Sequence, residues 1–236
     1  APQGSWRSEM NLRLRSDFIA ALRPDAVHVA SLFESLGDLS VSDLPPQGDG
    51  ILRAVTLYDL IPFINPDPYL VAPAARRWYY RRLQSLKRAD LLLAISSSSR
   101  MEAIDHLNLP AERVVNISSA IDPAFVPMQV SAGDAALLKR RMGITDRFVM
   151  YTGGIDHRKN LEGLIEAYAL LSPDLRRRRQ LAIVCSINEP QREVLRTVAV
   201  KCGLQPDELV LTGYVSEADL IALYNSCELF VFPSLH

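Results

Sequence analysis

The sequence predicts an α/β protein built as two parallel-sheet domains in series, and three observations carry that reading. Short apolar, β-branched runs alternate with polar or Gly/Ser/Pro breaks and helix-period segments, the signature of βα units. The runs are continuous rather than alternating, as strands buried on both faces require. They fall into two sets of four, separated by the aperiodic stretch Ala120–Asp134 with Pro123, Pro127 and Gly133, which has the character of a domain linker.

The first set comprises Ala26–Ser31, Ile51–Leu57, Leu91–Ile95 and Val114–Ser118. Between its first two members lies a long loop, Ser35–Gly50, and after the second another, Ile61–Pro73 with Pro62, Pro66, Pro68 and Pro73. Loops of that length in an α/β domain are more often functional than idle. A helix rich in arginine and aromatics follows, carrying Arg76, Arg77, Trp78, Tyr79, Tyr80, Arg81, Arg82, Lys87 and Arg88. The boundary is placed at Pro127, giving domains 1–127 and 128–236.

In the second set the strands are Phe148–Thr152, Leu181–Cys185, Leu209–Thr212 and Leu229–Phe232. Leu161, Leu164, Ile165, Tyr168 and Leu171 mark one helical face, and Glu193–Cys202 and Glu217–Ser226 are the next two helices. Both ends are unusual. The last strand stops one step before the loop and helix that a doubly wound sheet needs, and the chain starts at Ala1, with a first clear strand only at Ala26. The expectation is an internal portion of a longer protein, with both domains incomplete.

At 236 residues and 48% hydrophobic, the chain has enough apolar surface for a core, which excludes disordered and fibrous classes. Its 26 basic and 27 acidic residues are spread evenly over both halves, which argues against nucleic acid as the main partner. No apolar run approaches the roughly 18–20 residues that span a bilayer, and Ala1–Ser16 lacks an apolar signal core. Cys185, Cys202 and Cys227 have neither disulfide-framework nor zinc spacing. No Asp-x-Asp pair occurs, so no metal is expected. A cytoplasmic location, at or near the inner face of a membrane, fits best.

Ligands of open α/β sheets bind beyond the carboxyl ends of the strands, so the residues there are the candidates. The sharpest group is Tyr151-Thr-Gly-Gly-Ile-Asp-His-Arg-Lys-Asn160, where a strand ends in Gly153 and Gly154 and the chain crosses Arg158 and Lys159 into a helix with Asn160 as expected N-cap. Glycines admit a phosphate to the backbone, and the helix N-terminus and cations attract it. The same pattern also fits a glycine turn with a solvated basic pair. Asp59 suits a sugar hydroxyl or an Asx turn equally well. Ser96, directly at a strand end, is a cleft candidate, while Ser99-x-x-Glu102 reads as a capping box. His157, beside the anion loop, is a further candidate. The arginine-rich helix suits either an anionic surface or plain solvation around a packed Trp78 and Tyr79.

Taken in order, Pro24–His28, Thr56-Leu-Tyr-Asp-Leu-Ile-Pro62, Ala89–Ser96, Ile121–Pro127, Tyr151–Leu161, Gly213-Tyr-Val215 and Phe230-Val-Phe-Pro-Ser234 resemble glycosyltransferase family 4, also called group 1. The Leu-Tyr-Asp-Leu-Ile-Pro form looks most like bacterial mannosyltransferases that build polysaccharide. The resemblance implies the GT-B fold, two Rossmann-like doubly wound domains, and transfer of a hexose with retention from a nucleotide-sugar. It implies that Lys159, supported by Arg158, neutralises the donor diphosphate, a role electrostatics makes sensible. It further implies that Gly153, Gly154, Gly213, Tyr214, Val215 and Ser234 border the donor, and that Asp59 with Tyr58 and Ser96 faces the sugar or acceptor.

The chain departs from the pattern in three places. Tyr58 stands where many relatives have His, and Gly153-Gly154 where many have Gly-Arg. The family's Glu, seven residues, Glu motif starts after the Phe-Pro-Ser segment, so the isolated chain is expected to be inactive. The implied donor is GDP-mannose and the implied acceptor a glycan or lipid-linked glycan, with peripheral membrane contact. The alternatives are a non-catalytic module that binds nucleotide or sugar phosphate, and an interaction module whose vesicle binding would survive Lys159→Ala.

Overall fold

The computed structural model describes residues 6–34, 36, 42–45, 50–145 and 147–235, except for the side chains of residues 7–9. It divides into two compact units, Ala1–Ala120 and Ile121–His236. Each is α/β with one parallel four-stranded sheet.

In the first unit the sheet runs β1 (Ala26–Val29), β2 (Leu52–Leu57), β3 (Leu91–Ala94), β4 (Val114–Asn116), in that spatial order. Among the described strands sheet growth does not reverse, so right-handed crossovers put α3 (Pro73–Lys87) and α4 (Ser97–Leu107) on the same face. There Val29, Val55, Leu57, Leu92 and Ala94 of the strands meet Leu83, Leu86, Ala103 and Leu107 of the helices. The alternate residues Leu52 and Val115 stay about half exposed on the other face.

Two helices of the first unit were not legible in the sequence. The first, α1 (Trp6–Leu22), places Met10, Leu14, Phe18 and Leu22 at intervals of four, yet all are exposed, so no buried face betrays it. The single-turn α2 (Ile61–Ile64) opens the proline-rich loop, with Pro62 in its first turn. The arginine-rich helix, α3, starts at Pro73 and buries Trp78, Tyr79, Arg82, Leu83 and Leu86, as the solvated-helix reading expects. Arg82 is buried against Asp43 at 3.5 Å. The Ser35–Gly50 loop lies largely outside the described residues.

The second unit contains α5 (Ala132–Met142), β5 (Arg147–Thr152), α6 (Leu161–Ala169), α7 (Pro173–Arg176), β6 (Arg179–Val184), α8 (Glu189–Lys201), β7 (Leu209–Leu211), α9 (Glu217–Tyr224) and β8 (Leu229–Phe230). The spatial order is β7-β6-β5-β8. Growth proceeds from β5 outward to β7, then returns to the far side of β5, so both faces are covered. Tyr151, Leu181 and Ile183 pack against Leu161, Leu164, Ile165 and Tyr168 of α6 and Leu195 of α8. Phe148, Met150, Ala182 and Val184 face Leu138 of α5 and Leu223 of α9.

Leu171 falls beyond the end of α6 and is 38% exposed, unlike the other four apolar residues of that face. The short α7 precedes β6 unannounced by the sequence, and α8 begins four residues before the expected Glu193, because Asn188 and Gln191 form a reciprocal capping box with Pro190 in the first turn. Residues after Ala120 are tied to α9: Phe125 meets the Tyr224 ring edge-on at 5.9 Å, and Met128 N–H donates to Asn225 Oδ1 at 2.8 Å. Among the described residues no helix is long and apolar enough to cross a membrane.

Candidate functional site

The reversal of sheet growth between β5 and β8 makes a switch point, where the chains leaving adjacent strands part and a crevice opens at the carboxyl edge. The glycine-rich loop leaves β5 on one side of it, and Val231–Leu235 leaves β8 on the other. The structure therefore brings Gly153, Gly154, Arg158, Lys159 and Ser234 together.

The loop is shaped by a tyrosine. The Tyr151 hydroxyl, pushed up to about 12 chiefly by burial, stays protonated and donates to the Gly154 carbonyl at 2.6 Å. Gly153 is left at φ +145°, a backbone region essentially reserved for glycine, and a Cβ there would lie 2.8 Å from the Tyr151 hydroxyl oxygen. The Tyr151 ring stacks on Phe232 at 6.2 Å, and Lys159 Nζ sits 4.8 Å from the centre of that same ring. Lys159 has no carboxylate within ion-pairing distance among the described residues. Its charge is held by an aromatic face that attracts a cation without neutralising it.

Two hydrogen bonds tie the crevice walls together. Leu235 N–H donates to the Arg158 carbonyl at 2.8 Å, and Asn160 Nδ2 donates to the Pro233 carbonyl at 3.3 Å. This corrects the expected role of Asn160: it stands at the N-cap position of α6, but at φ 55° its side chain turns to β8 and makes no cap bond. Gly163 makes room, because a Cβ there would meet Asn160 Oδ1 at 2.5 Å. The N–H groups of the first turn of α6 are left without a side-chain cap. Ser234 Oγ is buried and has no hydrogen-bond partner among the described residues. The Arg158 guanidinium is engaged with Asp156 at 2.9 Å. His157 lies in a 3₁₀ turn and lines a pocket of about 350 Å³ together with Asp156, Asn160, the first turn of α6 and Gln191.

Gly213, at φ +77°, turns the chain at the end of β7, and Tyr214 beyond it is 82% exposed. Over Gly213 lies a residue that sequence reasoning missed, Arg192 of α8. Its Nη1 donates to the Leu211 carbonyl at 2.7 Å. The Asn188–Gln191 capping box was the signal that would have placed it on a helix facing the sheet.

At the first sheet the candidates are spent on structure. Asp59 Oδ1 accepts from Ile61 N–H at 3.0 Å, the Asx-turn alternative. Tyr58 is exposed. The expected Ser99-x-x-Glu102 capping box is not formed: Ser96 Oγ accepts from Ser99 N–H at 3.0 Å and is itself the cap of α4. Ser99 Oγ instead donates to the Tyr58 carbonyl at 2.5 Å, and Glu102 Oε2 accepts from Leu60 N–H at 2.9 Å. Among the described residues no cluster of His, Cys, Asp and Glu could hold a metal ion.

Residues 138–236 match the family model of glycosyl transferases group 1. The serotype-specific mannosyltransferase WbdA of Escherichia coli is 37% identical over 230 residues, covering 98% of this chain and 28% of WbdA. The O-antigen chain mannosyltransferase B of Escherichia coli is 30% identical over 184 residues, covering 78% of this chain and 48% of that protein. Among solved structures, Anabaena HepE in complex with UDP-glucose superposes with a TM-score of 0.59 at 18% identity, over 79% of this chain and 48% of HepE. That likeness shows the GT-B-type fold. The chain thus spans little more than a quarter of the WbdA length.

Proposed function

This chain belongs to the group 1 glycosyltransferases, and from that premise we propose that its second unit binds a nucleotide-sugar and that the protein transfers the sugar to a glycan or lipid-linked acceptor during polysaccharide synthesis. The observation that carries the proposal is Lys159. It holds a cation without a carboxylate partner at the switch point, beside two glycines and the first turn of α6. A diphosphate entering there gains charge-assisted hydrogen bonds. As the glycosyl bond breaks, negative charge builds on the leaving phosphate, and a preorganised cation lowers the barrier. Arg158 turns from Asp156 to supply a second cation, and the buried Ser234 Oγ and the Gly154 backbone border the same crevice.

Gly213, Tyr214 and Val215 form the nucleoside side. In the first unit, the exposed Tyr58 is the acceptor-side candidate, with Asp59 fixing the turn that follows it and Ser96 capping α4. The mannosyltransferase relatives favour mannose as the sugar, and GDP as its carrier and transfer with retention are what the family resemblance implies. No metal is assigned a role. The exposed arginines of α3, Arg77 and Arg81, suit an anionic acceptor or headgroup at the cytoplasmic face of a membrane.

Calorimetric titration with GDP, UDP and ADP and their sugar conjugates tests the reading. Saturable binding that falls about tenfold or more in Lys159→Ala is expected, the worth of a hydrogen bond to a charged group. Equal binding by wild type and variant would overturn the donor assignment.

A further inference from the structure

Arg192 has no part in the assignments above, and its surroundings point to one. It stands in the first turns of α8 with its side chain 18% exposed, and its guanidinium crosses to the carboxyl end of β7. Nη1 donates to the Leu211 carbonyl at 2.7 Å, and Nε lies 3.3 Å from Glu189 Oε1. Nη2 lies 3.6 Å from where a Gly213 Cβ would be, so the guanidinium rests against the turn that begins the Gly213-Tyr214-Val215 loop. No hydrogen bond to Nη2 is made among the described residues. Two of the three nitrogens thus fix the group, and the third presents unused N–H donors where the proposed nucleoside would lie. Tyr214, 82% exposed on the same turn, offers a ring for a base to stack on.

We propose that Arg192 is a specificity-determining residue that selects a nucleoside diphosphate by its base, favouring one whose edge presents carbonyl acceptors. The inference rests on the donor reading of the second unit. A guanidinium has donors and no acceptor. Guanine offers it two acceptors, O6 and N7, whereas adenine sets an amino donor beside N7. Uracil offers two carbonyls, O2 and O4, but the N3–H donor separates them, so an edge-on guanidinium nitrogen meets one at a time. The expected ranking is therefore GDP, then UDP, then ADP.

The test is calorimetry with GDP, UDP, ADP and inorganic pyrophosphate on the wild-type chain, Arg192→Ala, Arg192→Gln and Lys159→Ala. Wild type is expected to prefer GDP over ADP by about tenfold, the range of one hydrogen bond from a charged donor. Arg192→Ala should weaken GDP and leave ADP and pyrophosphate unchanged, so that the preference collapses. Arg192→Gln, whose shorter amide ends near the position of Nε and removes both Nη donors, should lose the preference as well, with melting temperatures of both variants showing that the chain stays folded. Lys159→Ala should weaken all four probes alike. If Arg192→Ala and Arg192→Gln keep the GDP-to-ADP ratio, or weaken pyrophosphate as much as GDP, base selection by Arg192 is wrong while the donor site stands. If the folded wild-type chain binds none of the nucleotides, the donor reading falls and takes this inference with it.

Discussion

At the carboxyl edge of the first sheet, polar side chains delivered by strand and helix turn back onto the chain's own backbone. At the same edge of the second sheet some do the same, as Asn160 and Thr152 show, but others keep polar atoms unused. Asp59, Ser96, Ser99 and Glu102 each complete a bond to a main-chain atom within the Tyr58–Ile61 or Ser96–Ser99 turns. Lys159, Ser234 and the Nη2 of Arg192 complete none among the described residues. The difference follows topology: the first sheet grows in one direction and has no switch point among its described strands, and the second reverses between β5 and β8. A satisfied edge holds loops in place, whereas unsatisfied donors kept apart by packing are what a ligand can complete.

The largest expected effect comes from filling the open edge. Gly153→Ala puts an L side chain at φ +145° and a methyl 2.8 Å from the Tyr151 hydroxyl oxygen. The backbone alone costs about 1–3 kcal/mol. A lowered urea midpoint by far-ultraviolet circular dichroism and loss of nucleotide binding are expected. Adding Tyr151→Phe removes the oxygen that the methyl strikes and should recover part of the stability. A double variant no better than the single would mean that backbone strain is the whole cost.

Next in size is the satisfied edge. Glu102→Ala leaves the N–H of Leu60, a fully buried residue, without its acceptor, at a cost of about 1–3 kcal/mol. The chain's two tryptophans, Trp6 and Trp78, both lie in the first unit, so their fluorescence during urea unfolding follows that unit. Glu102→Gln, which retains an acceptor, should lose less. Neither variant should alter GDP affinity. A binding loss comparable with that of Lys159→Ala would erase the contrast between the two edges.

All eight strands were legible because buried parallel strands are continuous apolar runs, and each run contains an observed strand apart from an extra residue or two at the amino end of β5 and β6. The glycine loop was legible too, since two glycines before a basic pair and a helix is a local pattern. What escaped was long-range. Glu102 reads locally as the partner of Ser99, three residues away, but bonds to Leu60, 42 residues away. Asn160 reads as a cap and instead reaches Pro233. Arg192 lay hidden because the helix start was read past Asn188, and α1 because its apolar stripe faces solvent rather than a core. In each case the sequence offers a residue with two chemically equal uses, and only tertiary packing chooses between them.

The smallest expected effect lies at the opposite edge of the second sheet, where Arg179 just ahead of the β6 core and Glu228 just ahead of β8 meet from either side of β5. Arg179 donates to both carboxylate oxygens of Glu228 at 2.9 Å, and Arg147 stands 3.9 Å away. These bonds hold the Glu228 carboxyl below its ordinary value, the hydrogen bond from Arg179 contributing most. A carboxylate whose folded value is depressed adds stability that is fully present above its unfolded value, about 4.3, and is lost as pH falls through the folded one. Glu228→Gln should therefore melt slightly below wild type at pH 7, and the gap should close on acidification below pH 4. The pair is exposed and screened, so 1 M salt should narrow the gap as well. A gap that persists at low pH would show that Glu228 acts through packing, and that the switch-point crevice is framed without help from charge at its far end.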